Sequence, residues 1–554
     1  MDKRLLLGDE AIALGALHAG LSGVYAYPGT PSTEITEFIQ NATGYGRETY
    51  VICDHELKAN GDIHSRWCSN EKTAMEAGLG MSYAGKRALV CMKHVGMNVC
   101  ADPFVNSAIT GVNGGLVILA ADDPSMHSSQ DEQDSRFYAK FAMIPVFEPS
   151  SQQEAYDMMD EAYALSETLR LPVMMRVVTR LAHSRANVEV KSEAKEQNPL
   201  NPDSGRHWVL LPAIARKNYL ELIDKQAAML AASEASRFNT LTKLNQDGTK
   251  ARLGVVACGI GYNYVMEAEA QGIEVLKVSQ YPLPQQQIKE LAQRVDQLLI
   301  VEDGQPVVEE LVHGMLGSDY KIEGRLTGAL PRTGELNPDS VAQALRNILT
   351  GTEPSTDFPT ANSPINVVGR PPALCQGCGH RDVYAAIREL IDEIPSARVF
   401  GDIGCYTLGA LPPFQAITSC VDMGASITMA KGASDAGIWP AIAVIGDSTF
   451  THSGMTGLLD AINDRANITV IISDNLTTGM TGGQDSQGTN RFEQICLGLG
   501  VEPEHLHVVV PLPKNMDEIR KVLRDEVNYK GVSVIIPRRE CIQTHARKLR
   551  QAKK

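Results

Sequence analysis

Ala441-Ile442-Ala443-Val444-Ile445-Gly446-Asp447-Ser448 is an unbroken apolar run that passes through one glycine into polar residues, and Ile468 to Ser473 followed by Asp474-Asn475 repeats the pattern. A short run that is apolar at every position reads as a strand covered on both faces, which is the parallel-sheet signature. Ala397 to Phe400 and Val532 to Ile536 read the same way, so residues 373–554 are predicted to form a parallel α/β domain. Working towards the N-terminus, Arg252 to Cys258, Glu274 to Val278 and Gln297 to Val301 give three strands of a middle α/β domain, 191–350 with its preceding linker. A Pro, Thr, Ser and Asn-rich linker spans 351–372. Val24 to Tyr27, Arg87 to Met92, Leu116 to Ala120 and Pro172 to Val178 give a further parallel-sheet domain over 1–190, with a helix at 150–167 and a charged linker at 182–201. The fold class is multidomain α/β, two parallel-sheet domains with an α/β domain between them.

The composition agrees. The 554 residues carry 51 Lys plus Arg against 66 Asp plus Glu, a formal charge of −15, with 43% hydrophobic, 21% charged and 5% aromatic residues. That excludes a disulfide-stapled module and a mainly disordered chain, and it offers no basic field for nucleic acid. The Leu5 to Leu7 run is too short for a signal peptide, and no apolar stretch is long enough to span a bilayer, so a cytoplasmic protein is expected. Gly259-Ile260-Gly261 lacks the rest of a dinucleotide fingerprint and reads as a tight turn.

Chemistry concentrates at the ends of the late strands. Asp447 and Asn475 are 28 positions apart, the length of one strand–helix–strand passage. A carboxylate and an amide oxygen brought together there form a hard donor set suited to Mg²⁺ shared with a diphosphate, while Gly446 and the Gly479, Gly482 and Gly483 loop allow close backbone approach. Two ordinary capped turns would read alike. Cys375, Cys378, Cys405 and Cys541, spaced by 3, 27 and 136 residues, converge on one sheet edge if each follows its strand. Four thiolates suit either structural Zn²⁺ or a [4Fe–4S] cluster, and spacing does not choose between them. Cys420 and Cys496 are alternative fourth ligands, while Cys53, Cys68, Cys91, Cys100 and Cys258 read as small core residues. Glu71, before an Ala and Gly-rich helix, reads on its own as a helix-capping acid.

The Gly446-Asp447-Ser448 to Asn475 pairing resembles the diphosphate motif of thiamine-diphosphate enzymes, with Ser448 in place of its second glycine. Cys375-Gln376-Gly377-Cys378-Gly379-His380, Gly404-Cys405 and Cys541 resemble the thiamine-binding subunit of the 2-oxoacid ferredoxin oxidoreductases, with Gln376 replacing proline. Tyr27 to Ser32, Met92-Lys93-His94, Asp122 to Gln130 and Gly401 to Gly409 extend the likeness over about 5–545 to the large subunits of the indolepyruvate ferredoxin oxidoreductases. The resemblance implies that Asp447, Asn475 and the Thr477 carbonyl hold Mg²⁺ and that the four thiols hold a [4Fe–4S] cluster. It makes Glu71, with Glu56 as rival, the carboxylate that favours the imino tautomer of the cofactor's aminopyrimidine.

Thr30 is then the candidate for the substrate carboxylate, and Lys93, His94 and Arg136 are candidates for oxyanion charge or coenzyme A phosphates. The implied reaction is oxidative decarboxylation of an arylpyruvate such as indolepyruvate or phenylpyruvate, with coenzyme A taking the acyl group and ferredoxin the electrons. A non-oxidative decarboxylase or carboligase is the alternative. Large subunits of the family continue into a ferredoxin-like tail of closely spaced Cys-x-x-Cys runs, and no such run occurs here. Electrons are therefore expected to leave through a separate iron–sulfur subunit or ferredoxin. A small gamma-type subunit and a homodimeric core within a heterotetramer are implied as partners.

Overall fold

The computed structural model describes residues 2–43, 63–202, 206–243, 250–352 and 372–551. They belong to two compact units, Met1–Ile365 and Asn366–Lys554.

The second unit is built on a six-stranded sheet. Its order is Ser419–Cys420, Arg398–Gly401, Ala441–Gly446, Ile468–Ser473, Val532–Pro537 and Leu506–Val509, and every pair is parallel. Ala441–Gly446 and Ile468–Ser473 are buried at every position, as their continuous apolar sequence requires. Ala441 lies opposite Ile468 and Gly446 opposite Ser473, so the two strands stop side by side and release their loops at one edge.

The first unit holds a seven-stranded sheet in the order Gln280–Tyr281, Val146–Phe147, Val173–Val178, Leu116–Asp122, Ala88–Lys93, Gly23–Ala26 and His64–Trp67. A five-stranded sheet runs Ile322–Glu323, Leu298–Val301, Leu253–Cys258, Ile273–Val278 and Thr240–Lys243, with only the last pairing antiparallel. One buried core joins Leu89, Val117 and Val173 of the first sheet to Val255, Leu299 and Val301 of the second. Gln280–Tyr281 crosses over to pair with Val146–Phe147. Both the shared core and this strand cross the expected boundary at 190/191, and most of the 351–372 linker lies outside the described residues.

The charged segment 182–201 differs from the linker expected of it. Arg185–Val190 is a strand, paired antiparallel with Asp2–Leu7, with Asp2 opposite Val190 and Leu7 opposite Arg185. Only Val188 and Val190 turn inward, so polar residues at alternate positions hide the strand from an apolar-run criterion. Among the described residues, no helix is long and apolar enough to cross a membrane.

Candidate functional site

Ala441–Gly446 ends at Gly446, and Asp447 opens the helical stretch that follows. Asp447 Oδ1 accepts from the Ser448 N–H at 2.7 Å and Oδ2 from the Thr477 N–H at 3.1 Å. The same Thr477 N–H donates to Asn475 Oδ1, also at 3.1 Å. One backbone donor therefore draws the carboxylate and the amide oxygen to a common point. Ser448 Oγ and Thr478 Oγ1, 2.9 Å apart, tie the two loops together a second time. Burial, and after it the negative charge of Asp474, pushes the Asp447 carboxyl up to about 7. A group enclosed in this way, with oxygen donors beside it, fits a divalent cation that would favour its ionised form.

Asp474 fixes the other strand end. Its side chain accepts from Arg538 Nε at 2.6 Å and from the Leu476 N–H at 3.2 Å, and Arg538 is also held by both carboxylate oxygens of Glu493, at 2.8 and 2.7 Å. Leu476 adopts a φ of 61°, a left-handed conformation that a leucine holds only where its surroundings impose it. The turn that presents Asn475 is thus locked on both sides. The sequence reading did not find Asp474, Arg538 or Glu493; the only available signal was the adjacency of Asp474 to Asn475.

Cys375, Cys378, Cys405 and Cys541 line one cavity, with His380 and Asn475 in its wall. The Cys378 N–H donates to Cys375 O at 3.1 Å, closing the Cys-x-x-Cys turn, and Cys378 caps the helix Gly379–Glu393. Burial, then the neighbouring Cys541, Cys378 and Cys375, pushes the Cys405 thiol up to about 12. Gly479 lies against this group: a Cβ there would sit 3.4 Å from Cys405 Sγ and 3.8 Å from Asn475 Nδ2. The diphosphate-type loop and the thiols accordingly share one neighbourhood. Neither alternative ligand lines the cavity: Cys420 is exposed, and Cys496 is buried in a separate apolar core.

A single tetrahedral Zn²⁺ with Zn–S bonds of about 2.3 Å holds its sulfurs about 3.8 Å apart. Among the described residues, the group of His, Cys, Asp and Glu ligand atoms lying within 4.8 Å of one another is Asp9, Glu34 and His183, not the thiols. Of the cysteines read as core residues, Cys91, Cys100 and Cys258 are buried and Cys68 is half-buried, while Cys53 lies outside the described residues.

In the first unit, Glu71 begins the helix Glu71–Tyr83, capped by the Asn70 side chain, which accepts the Thr73 N–H at 2.9 Å. Glu71 is 5% exposed. Gly96 presses on it, since a Cβ at Gly96 would fall 2.6 Å from Glu71 Cγ and 2.8 Å from Oε1. Gly96 belongs to the helical turn His94–Val99 that leaves the strand Ala88–Lys93. Lys93 is buried, which lowers its pKa, and its Nζ donates to Ser128 O at 2.6 Å. Thr30, in the loop after Gly23–Ala26, follows Gly29, whose Cβ position is 3.1 Å from Lys93 Cβ. His94 is 1% exposed, with Nε2 3.4 Å from Asp131 Oδ1. Thr30, Lys93, His94 and Glu71 therefore gather at the carboxyl ends of adjacent parallel strands. Glu56 lies outside the described residues.

Arg136 is placed differently. Its guanidinium is enclosed by Asp134 at 2.9 and 2.6 Å, Glu302 at 2.9 Å and Glu148 at 3.8 Å. Arg176, bound to Asp122 and Glu148, extends the network. These donors are committed to joining the two sheets, so the expected oxyanion or phosphate role of Arg136 has no free donor face to rest on.

Residues 14–219 match the family described as pyruvate flavodoxin/ferredoxin oxidoreductase, thiamine diphosphate-binding, and residues 402–536 match the C-terminal thiamine-pyrophosphate-binding domain of thiamine pyrophosphate enzymes. Over 98% of its length the chain is 38% identical to the indolepyruvate oxidoreductase subunit IorA of Archaeoglobus fulgidus, covering 86% of that relative. It is 36% identical to the subunit of the same name from Methanothermobacter thermautotrophicus, covering 98% of this chain and 87% of that one. A solved 2-oxoglutarate:ferredoxin oxidoreductase from Magnetococcus marinus superimposes with a TM-score of 0.51 at 14% identity, over 63% of this chain and 65% of that one, a likeness of fold alone.

Proposed function

Because the chain belongs to the family of large subunits of the indolepyruvate oxidoreductases, thiamine-diphosphate-dependent enzymes that act on 2-oxoacids, we propose that it catalyses the oxidative decarboxylation of arylpyruvates to aryl-acetyl-coenzyme A. The observation that carries the reading is the single Thr477 N–H shared by Asp447 and Asn475, at strand ends that also adjoin four thiols.

When bound, thiamine diphosphate supplies the carbon nucleophile and electron sink for decarboxylation, and a [4Fe–4S] cluster carries the released electrons towards ferredoxin. The residues of the chain do the positioning. Asp447, Asn475 and the Thr477 carbonyl are assigned to Mg²⁺, with Gly446, Ser448 and Gly479 lining the diphosphate. Cys375, Cys378, Cys405 and Cys541 are assigned to the cluster, a choice supported by the one cavity that all four line. Glu71 is the carboxylate assigned to the aminopyrimidine, where its burial would strengthen a hydrogen bond to that ring. Thr30 donates its hydroxyl to the substrate carboxylate. Lys93 and His94 face the developing oxyanion charge, and coenzyme A enters as co-substrate. The name "subunit" carried by the relatives supports a small gamma-type partner, and a homodimeric core in a heterotetramer with ferredoxin or an iron–sulfur subunit as acceptor completes the proposal.

The test is reconstitution with the small subunit, thiamine diphosphate, Mg²⁺, iron and sulfide under anaerobic conditions. Dye or ferredoxin reduction that requires coenzyme A and runs faster with indolepyruvate or phenylpyruvate than with pyruvate or 2-oxoglutarate is the expected result. Aldehyde or acyloin formation without an electron acceptor would replace the proposal by the non-oxidative alternative.

A further inference from the structure

Asp9, Glu34 and His183 come from three separate helices, Gly8–His18, Thr33–Thr43 and Thr179–His183, yet their ligand atoms lie within 4.8 Å of one another. Asp9 is 0% exposed, and no N–H or O–H group donates to either of its carboxylate oxygens. A carboxylate withdrawn from water without a donor is strongly disfavoured unless a cation or proton compensates it. Glu34 faces it with a second carboxylate, whose Oε2 also lacks a hydrogen bond. The Glu34 Oε2 to His183 Nε2 separation is 3.5 Å, long for a hydrogen bond. Two ligands of one tetrahedral ion with bonds of about 2.0–2.1 Å stand about 3.3 Å apart, close to that separation.

We propose that Asp9, Glu34 and His183 form a binding site for a divalent transition-metal ion of the zinc class. The donor set is one imidazole and two carboxylates, borderline to hard, which separates it from the four thiols of the other unit. The side chains of Glu34 and His183 are 36% and 34% exposed, so an ion can enter from solvent and keep water in its remaining position. Asp9 closes the inner side. Glu34 lies in the first turn of the helix that follows the Pro28 to Ser32 loop, so the ion would clamp that loop, and Thr30 on it, to the helix Gly8–His18. The role is structural, because none of the three ligands is among the residues assigned to substrate or cofactor.

The experiment is a Zn²⁺ titration of the full chain, stripped with chelator and followed by calorimetry, comparing wild type with Asp9→Asn and His183→Gln. Each variant is expected to lose one equivalent of Zn²⁺, or bind it at least tenfold more weakly, and to lose the rise in thermal midpoint that Zn²⁺ gives the wild type. Cys375→Ser and Asp447→Asn should keep that equivalent, which separates this site from the thiols and the diphosphate site. His183 is partly exposed, so its replacement tests the site without opening the core, and circular dichroism checks the fold. If wild type and His183→Gln bind zinc with the same stoichiometry and the same affinity, Asp9 and Glu34 merely share a proton and the proposal is wrong.

Discussion

The backbone N–H of Cys541 donates to the carbonyl oxygen of Asn475 at 3.0 Å. Next to it, the Arg539 N–H donates to Asp474 O, also at 3.0 Å, so the segment leading to the fourth thiol is laced to the turn that presents the Asn475 amide. The link runs through main chain, and a change of the Cys541 side chain leaves it in place. The two functions of this edge should therefore separate by mutation.

Cys541→Ser is expected to lower bound iron and the electron paramagnetic resonance signal of the reduced protein while thiamine diphosphate and Mg²⁺ still bind. Asp447→Asn should do the reverse, weakening Mg²⁺-dependent cofactor binding by about 100-fold, the loss expected for a charged group in a coordination shell, with iron content unchanged. Calorimetry with the cofactor and an iron assay on the same preparations read both. Joint loss of iron and cofactor in both variants would mean that the thiols and the carboxylate serve one centre.

The raised pKa of Asp447 gives a pH dependence of definite sign. Its carboxyl sits at about 7 in the folded protein against 3.8 in a solvated chain, so between those values the folded state binds more protons. Its contribution to stability then falls as pH rises from about 4 to about 7, and Asp402, also pushed up to about 7 by burial, adds to the same trend. With Asp447 as a ligand, Mg²⁺ would have to displace that proton. Its apparent affinity in the presence of thiamine diphosphate should drop about tenfold per pH unit below about 7 and level off above. Titrations at several pH values check this, and a flat profile through that window would remove Asp447 from the coordination shell.

Arg538→Ala should destabilise the second unit by about 3 kcal/mol, because it leaves a buried carboxylate at Asp474 without its cation. Arg538→Lys keeps the charge but not the fork that reaches Asp474 and Glu493 together, so it should fall between Ala and wild type. Chemical denaturation of the three proteins measures the order. Cofactor affinity should weaken in the same order, because Asp474 anchors the turn that carries Asn475.

Sequence exposed those parts of the site that rest on local rules. Strands buried on both faces must be apolar throughout, so Ala441 to Ile445 and Ile468 to Ile472 revealed themselves, and with them the polar positions where they end. Thiols are scarce enough that Cys375, Cys378, Cys405 and Cys541 could be grouped before any geometry was known. Arg136 was legible as a cation but not as a committed one, since Glu302, which follows a strand of the other sheet, reaches it only when the two sheets pack. Arg185–Val190 was missed because a ribbon open to solvent on one side alternates polar and apolar residues. Asp9, Glu34 and His183 carry no motif at all, since three helices far apart in sequence bring them together.

Gly96 offers the most discriminating test of Glu71. Replacing it with alanine puts a methyl carbon 2.6 Å from Glu71 Cγ and 2.8 Å from Oε1, so the carboxyl group must move while remaining present. A displacement of about 1 Å at a catalytic group costs on the order of 100-fold in rate. Glu71→Gln removes the carboxylate itself and should cost about 10²–10⁴-fold, the range for loss of a group acting in proton transfer. Both variants should keep cofactor affinity within a few-fold of wild type, because they leave Asp447 and Asn475, the residues assigned to Mg²⁺ and the diphosphate, unchanged. Turnover with saturating thiamine diphosphate, set beside a cofactor titration, separates the outcomes. Full activity in Gly96→Ala together with loss in Glu71→Gln would mean that Glu71 needs only to be ionisable, not held in its present position.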